Sequence, residues 1–271
     1  MKYPDSYLME NDEEAFRLDI KTNPEAVRKE AHWCGIKPGL RVLDAGCGPG
    51  KVTAILQEQV QPGGSILGVD YSPERIKYAK DHYLSGKADI DFRVRDLRTP
   101  LEDAGLFDLI WVRFVLEYHR TESVNIVKNL TACLKPGGSL CLLDLDYNCM
   151  SHYEMPPEME RILSQIVDVM QRKYNFDPYA GRKLYSYLYD LGYEDIRMDM
   201  KAHHLIYGKI KEPDLFNWTK KLEMASRKAP NAFEHYPGGH KKFFADFTRF
   251  FNDPRRFTYT PLILCKGIRP I

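Results

Sequence analysis

The residues with the clearest chemical purpose lie in one stretch, VLDAGCGPG at 42–50. An apolar run leads into Asp44-x-Gly46-x-Gly48-x-Gly50, and a helical pattern follows at once. Glycines permit the backbone angles of a tight turn and let the chain approach a ligand with no Cβ in the way. The helix N-terminus behind them offers oriented N–H groups to a carboxylate or phosphate. Further on, Asp70 ends a second apolar run in GVDYS, where a carboxylate can accept hydrogen bonds from ribose hydroxyls. Asp96 ends a third in RVRDL, where an adenine amino group needs an acceptor. A glycine loop alone is weak evidence. Three such features at successive strand ends are much stronger, because ligands of open α/β sheets bind along the carboxyl edge.

The elements that must hold these residues alternate. Strand patterns at 41–46, 65–70, 89–96, 108–115 and 139–147 are separated by helical patterns at 52–60, 73–84 and 122–134. Continuous apolar strands between amphipathic helices predict an α/β fold, with a parallel sheet covered on both faces. Pro38-Gly39, Pro62-Gly63-Gly64 and Pro136-Gly137-Gly138 punctuate the helix-to-strand turns. After Tyr147 the rhythm changes to helices at 158–174 and 182–193, a strand from 194, two more helical segments and an apolar run at 257–267. We expect one domain over 1–271: an N-terminal helical segment (1–35), a ligand-binding core (36–148), and helices with the last two strands (149–271).

Composition excludes several classes. The chain has 271 residues, 44% hydrophobic, with 39 Lys+Arg against 38 Asp+Glu, enough apolar mass for a core and no strong overall charge. Neither a membrane-spanning run nor the apolar core of a signal peptide is visible, which predicts a cytoplasmic protein. The six cysteines are scattered, without metal-ligand or disulfide spacing, so no metal is expected. The charge is unevenly shared, since residues 201–271 hold 14 Lys+Arg and 6 Asp+Glu.

Dinucleotide-binding proteins favour G-x-G-x-x-G after the first strand, whereas the spacing here is G-x-G-x-G with Lys51 next. The form D-x-G-x-G-x-G with Asp70 and Asp96 resembles the Rossmann-like, S-adenosylmethionine-dependent methyltransferases. LKPGGSL (134–140), FDLIWVRFVLEY (107–118), RKLYSYLYDLGYEDI and FTYTPLILCKGIRP extend the resemblance. Tyr7-Leu8, Glu14 and Arg17-Leu18 resemble the opening of the small-molecule methyltransferases of the 11/25 type. The resemblance implies a seven-stranded, mostly parallel Rossmann-like sheet with N-terminal helices and a helical cap over the active site. It implies S-adenosylmethionine as cofactor, S-adenosylhomocysteine as product, and a methyl transfer to an O, N or C atom of a small organic molecule. By the same resemblance Gly46, Cys47 and Gly48 surround the methionine part. Asp70 holds the ribose, with Tyr71 beside the adenine; Asp96 accepts from the adenine amino group, with Leu97 against the ring. Arg113 contributes its backbone, Asp44 fixes the loop or meets the ammonium group, and Tyr7 and Arg17 reach the carboxylate.

A sulfonium already activates its methyl group, so a base is needed only for an acceptor that starts protonated, such as a phenol with pKa of about 10. Glu117, Tyr118 and His119 follow the fourth strand; Asp144, Asp146, Tyr147 and His152 end or follow the fifth. Of these, His119, with an unperturbed pKa near neutrality, Asp146 and Tyr147 are the catalytic candidates. Strand alternation would put Asp144 and Asp146 on one face and send His203 and His204 to opposite faces. The stripe Met159, Ile162, Leu163, Ile166, Val169, Met170 suits a lid or a core, and the many tyrosines of the second half suit a planar or apolar substrate. Two rival readings stand. The paired basic residues near Phe243, Phe244, Phe250 and Phe251 could serve a nucleic-acid methyltransferase, although the Asn/Asp-Pro-Pro-aromatic tetrad is missing after the fourth strand. A cofactor-binding but catalytically silent partner protein is the other. We expect a small-molecule substrate, no membrane, and no nucleic acid; homodimerisation is left open.

Overall fold

The structure, a computed structural model, describes residues 18–19, 22–84, 89–101, 103–148 and 150–271. Helix α1 (Pro24–Cys34) begins where Asn23 accepts from the N–H groups of Glu25 and Ala26 and Pro24 takes the first turn; it stops at Gly35, with φ 94°. Then come β1 (Arg41–Ala45), α2 (Lys51–Val60), β2 (Ser65–Asp70), α3 (Pro73–Tyr83), β3 (Ile90–Val94), β4 (Phe107–Arg113), α4 (Ser123–Ala132) and β5 (Leu134–Leu145). The second half adds β6 (His152–Tyr153), α5 (Pro157–Tyr174), α6 (Leu184–Asp190), β7 (Glu194–Tyr207), α7 (Glu212–Lys228), α8 (Gly239–Asn252) and β8 (Phe257–Ile268).

Strands β3-β2-β1-β4-β5 pair in that order and run parallel, so Ala45, Asp70 and Arg113 all point to one edge. Strand β8 lies antiparallel between β5 and β7. The described sheet has eight strands where the resemblance predicts seven. The additional one, β6, pairs with the first residues of β8 where β5 has already ended.

Alternation along β1 and β4 sends side chains to opposite faces. Leu43, Ile110 and Leu142 join one core with residues of α4 and α6, and Val42, Trp111 and Cys141 join another with α1, α2 and α3. A third core lies beyond the carboxyl edge, where the stripe of α5 meets Trp218 of α7 and Phe243, Phe247 and Phe251 of α8. Its aromatic rings are fully enclosed at Phe243 and Phe251, and each such burial stabilises by roughly 1.5–3 kcal/mol. Arg256 pins this cap to the sheet: 1% exposed, it donates to the carbonyls of Phe251 (3.0 Å), Ile206 (2.8 Å) and Gly208 (3.1 Å). The stripe of α5 therefore builds the interior of the cap. Among the described residues no helix is long and apolar enough to cross a membrane.

Candidate functional site

At the carboxyl edge, under the cap, lies a cavity of about 260 Å³. Its floor is the loop between β1 and α2. Gly46 has φ 83°, and a Cβ there would stand 2.3 Å from Val115 Cγ2; Gly50 has φ 90°, and its Cβ would meet Ala79 Cβ at 2.7 Å. Only glycine fits either position without displacing a packed neighbour. Gly46, Cys47 and Gly48 line the cavity, as do Asp70, Tyr71, Asp96, Leu97 and Arg113. Sequence reasoning names all eight of these.

Asp70 is already engaged. Its Oδ1 accepts from Ser72 N–H (3.0 Å) and from Arg75 Nε (3.0 Å) and Nη2 (2.9 Å), while Oδ2 accepts from Gly48 N–H (2.9 Å). One carboxylate ties the glycine loop to the start of α3. Oδ2 keeps a lone pair for one further donor. Arg75, which sequence reasoning missed, follows the Ser72 cap by one helical turn. Asp96 is gripped by Arg98, Nε to Oδ1 at 2.9 Å and Nη2 to Oδ2 at 2.8 Å, and the Arg98 guanidinium lies 5.4 Å from the centre of the Tyr71 ring. Burial alone would raise the Asp96 carboxyl, but the hydrogen bonds from Arg98 win and hold it below the ordinary range. Arg113 is fixed from α1 by Glu30, Nε to Oε2 at 2.7 Å, both side chains largely buried.

Asp44 does not reach the cavity. It is 2% exposed beneath the loop, and Thr53 Oγ1 donates to it at 2.7 Å. Burial pushes its carboxyl up to about 7; the Thr53 hydrogen bond opposes this, the charge of Asp70 adds to it and Arg113 opposes it. The folded protein therefore binds a proton that the unfolded chain, with an aspartate near 3.8, has released. More protons bound in the native state means that this group's contribution to stability falls as pH rises from about 4 to about 7, by up to about 1.4 kcal/mol per pH unit. Asp44→Asn should remove that slope. In urea unfolding, the stability of the variant relative to wild type is expected to grow steadily across that window; a constant difference would refute the burial argument.

The other end of the cavity differs from the sequence expectation. Glu117 lines it from the one-turn helix Leu116–Tyr118 after β4. Its carboxylate accepts from Asn148 Nδ2 (2.7 Å), its N–H donates to Asp144 Oδ2 (3.1 Å), and its carbonyl accepts from Asp177 N–H (2.6 Å). Burial, then the charge of Glu117, pushes the Asp144 carboxyl well above its ordinary range. His119 also lines the cavity, and burial lowers its pKa, which keeps the ring neutral near pH 7 and able to accept a proton. Phe176 and Lys221 come from the cap side.

Two catalytic candidates are placed elsewhere. Strand β5 ends at Leu145, so alternation no longer governs Asp146; its carboxylate turns out to Arg182, at 2.8 and 2.9 Å, while Asp144 stays inside. Tyr147 turns at φ 52° and packs on Tyr179, at the mouth of a second hollow beside α5. His152 packs on Trp218 and bonds Thr258. The register shift between Ala202 and His204 brings the rings of His203 and His204 within 4.3 Å of each other rather than to opposite faces, and His203 faces the cavity. Tyr7 and Arg17 lie outside the described residues. Among the described residues no cluster of three or more His, Cys, Asp or Glu could hold a metal.

Comparison with known proteins agrees with this geometry. Residues 42–138 match the methyltransferase domain family. The ubiquinone biosynthesis O-methyltransferase of Xanthomonas campestris pv. campestris is 34% identical over 110 residues, 40% of this chain and 44% of the relative. That of Coxiella burnetii is also 34% identical over 110 residues, 41% of this chain and 45% of the relative. The match spans less than half the length of these relatives. Among solved structures, phosphoethanolamine N-methyltransferase 2 of Haemonchus contortus, in complex with S-adenosylmethionine, has a TM-score of 0.58 at 15% identity, covering 96% of this chain and 58% of that one. The YcgJ protein of Bacillus subtilis has a TM-score of 0.58 at 14% identity, covering 92% and 100%. At such identity these two show the fold. Over residues 42–138 this chain is similar to the methyltransferase domain family, and the glycine loop and the sheet order agree with that match.

Proposed function

We propose that the protein transfers the methyl group of S-adenosylmethionine to an O, N or C atom of a small organic molecule, aromatic or apolar in character. The observation that carries this reading is a single cavity in which the glycine loop, Asp70 and Asp96 at one end meet Phe114, Tyr118 and Phe176 at the other. The cofactor fits the residues present: a loop that excludes Cβ atoms, and an anchored Asp70 with one acceptor position left. When bound, it supplies an activated methyl group on a sulfonium. The remaining work falls to the chain.

In this reading Gly46, Cys47 and Gly48 hold the methionine end, Asp70 a ribose hydroxyl, and Asp96 with Leu97 and Tyr71 the adenine. Tyr7 and Arg17 belong at the carboxylate, and Asp44 acts through Thr53 on the loop. Residues 1–35, 36–148 and 149–271 divide the labour as N-terminal helical segment, cofactor core and substrate side. Aromatic walls orient the acceptor and exclude water, and positioning of this kind can gain roughly 7–11 kcal/mol. An acceptor hydroxyl would give its proton to Glu117 or to neutral His119. The name of the curated relatives makes an oxygen acceptor the first to try.

The arrangement of the basic segment speaks against the nucleic-acid alternative. Phe243 and Phe251 are inside the cap, Arg256 is buried, and Arg227, Lys242 and Arg255 are paired with Glu223, Asp246 and Glu154.

Methyl-labelled S-adenosylmethionine should be incubated with a panel of phenols, catechols and amines and with total RNA. The expected result is labelled small-molecule product with S-adenosylhomocysteine, and a fall in turnover of about tenfold or more in Glu117→Gln with cofactor affinity unchanged. Label in RNA, or cofactor binding with no transfer to any acceptor, would overturn the proposal.

A further inference from the structure

Strand β7 forms one margin of the described sheet. Strand β8 occupies one of its edges, and no other described strand pairs with the second. From Arg197 to Ala202 it pairs residue for residue with Lys266 to Pro261, between two register shifts, so this stretch is held straight. Met198 and Met200 are 45% and 66% exposed. Such a margin is a template for further pairing, and the side chains along it decide with what.

Charges alternate along it: Asp195, Arg197, Asp199 and Lys201, with Ile196, Met198 and Met200 between them. Within the chain, Arg197 bonds Asp195 at 3.0 Å and Lys201 stands 3.8 Å from Asp199, all well exposed except for partial cover of Lys201 and Asp199. Within the straight stretch, Arg197 and Asp199 on either side of Met198 complement their own reverse. An antiparallel second copy centred on Met198 sets Arg197 opposite Asp199 and Met198 opposite itself, with Asp195, at φ 47°, and Ile196 in the irregularity that ends the straight stretch. Moving the centre to residue 199 sets Arg197 against Lys201, and moving it to residue 197 sets Arg197 against its own copy. Directly opposed like charges destabilise a strand pair, so the pattern selects one register.

We propose that two copies of this chain associate through β7, antiparallel and centred on Met198, into one continuous sheet. The contact is isologous, using the same patch on both copies, and so closes at two. The two-fold axis stands perpendicular to the sheet, which turns the carboxyl edges of the two copies in opposite directions. Each cavity then opens to solvent away from its partner.

Sedimentation equilibrium of the full chain, up to about 100 µM, is expected to show a concentration-dependent dimer. Met198→Lys places two ammonium groups across the axis at an exposed position and should yield a monomer with unchanged S-adenosylmethionine affinity. Arg197→Asp should also dissociate the dimer, and adding Asp199→Arg should restore it, which separates lost complementarity from misfolding. Register is read by cross-linking. Met198→Cys should join two chains on mild oxidation, whereas Met200→Cys should not, because its two copies would sit about 13 Å apart along the strands. A wild type that stays monomeric throughout, a dimer indifferent to Met198→Lys, or equal cross-linking at both positions would overturn the proposal.

Discussion

Asp70→Ala is expected to weaken S-adenosylmethionine binding by about 100-fold and to destabilise the cofactor-free protein as well. Two effects combine in one side chain. A hydrogen bond to an ionised group contributes about 1.5–3 kcal/mol, and about 1.4 kcal/mol is a factor of ten in affinity. Asp70 also holds Gly48 N–H, Ser72 N–H and the Arg75 guanidinium. Its loss therefore releases the loop that cradles the ligand and leaves a largely buried Arg75 without its carboxylate. Asp70→Asn separates the effects, because an amide keeps the volume but has one acceptor oxygen for Gly48 and Arg75 together. It should fall between wild type and alanine in both affinity, by calorimetry, and urea midpoint. Alanine binding within threefold of wild type would remove Asp70 from the proposed cofactor site.

Arg256→Met should lower stability by about 3 kcal/mol or more. The guanidinium satisfies three carbonyls, from the end of α8, the end of β7 and the turn after it. Leaving a buried acceptor unsatisfied costs about 1–3 kcal/mol. Methionine retains much of the packing against Phe251, so the measured loss reports on the carbonyls rather than on a cavity. Because those three points join cap to sheet, the enzymatic effect should fall on the acceptor's KM, with cofactor affinity nearly unchanged. Equal weakening of cofactor and acceptor would show that the cap is not an independent substrate-side element.

The glycine-loop end of the cavity was legible because each of its residues is announced locally. Gly46, Gly48, Asp70 and Asp96 each follow an apolar run whose type, direction and end can be read from a few neighbours, and a parallel sheet brings such ends to one edge. The acceptor end depends on where a strand stops. Had β5 run two residues further, Asp146 would share the face of Asp144; it stops at Leu145, and Asp146 goes to Arg182 instead. Asn148, Phe176 and Lys221 reach the cavity from a loop, the end of α5 and the inner side of α7, positions fixed by tertiary packing and carrying no periodic signal. Lys221 in particular reads in the sequence as part of a basic run, and the fold turns it inward.

The position of β8 has a consequence for how the chain is made. Strand β5 leaves the ribosome more than a hundred residues before β8, which at about 5–20 residues per second is on the order of ten seconds. Until then the growing chain carries strands β1 to β5 with an unpaired β5 margin, and β7 arrives with no neighbour to join. Native assembly of the second half therefore waits for its last strand to insert between two strands already synthesised. A nascent chain halted before residue 257 should engage chaperones through β5, while its glycine loop is already able to take up ligand.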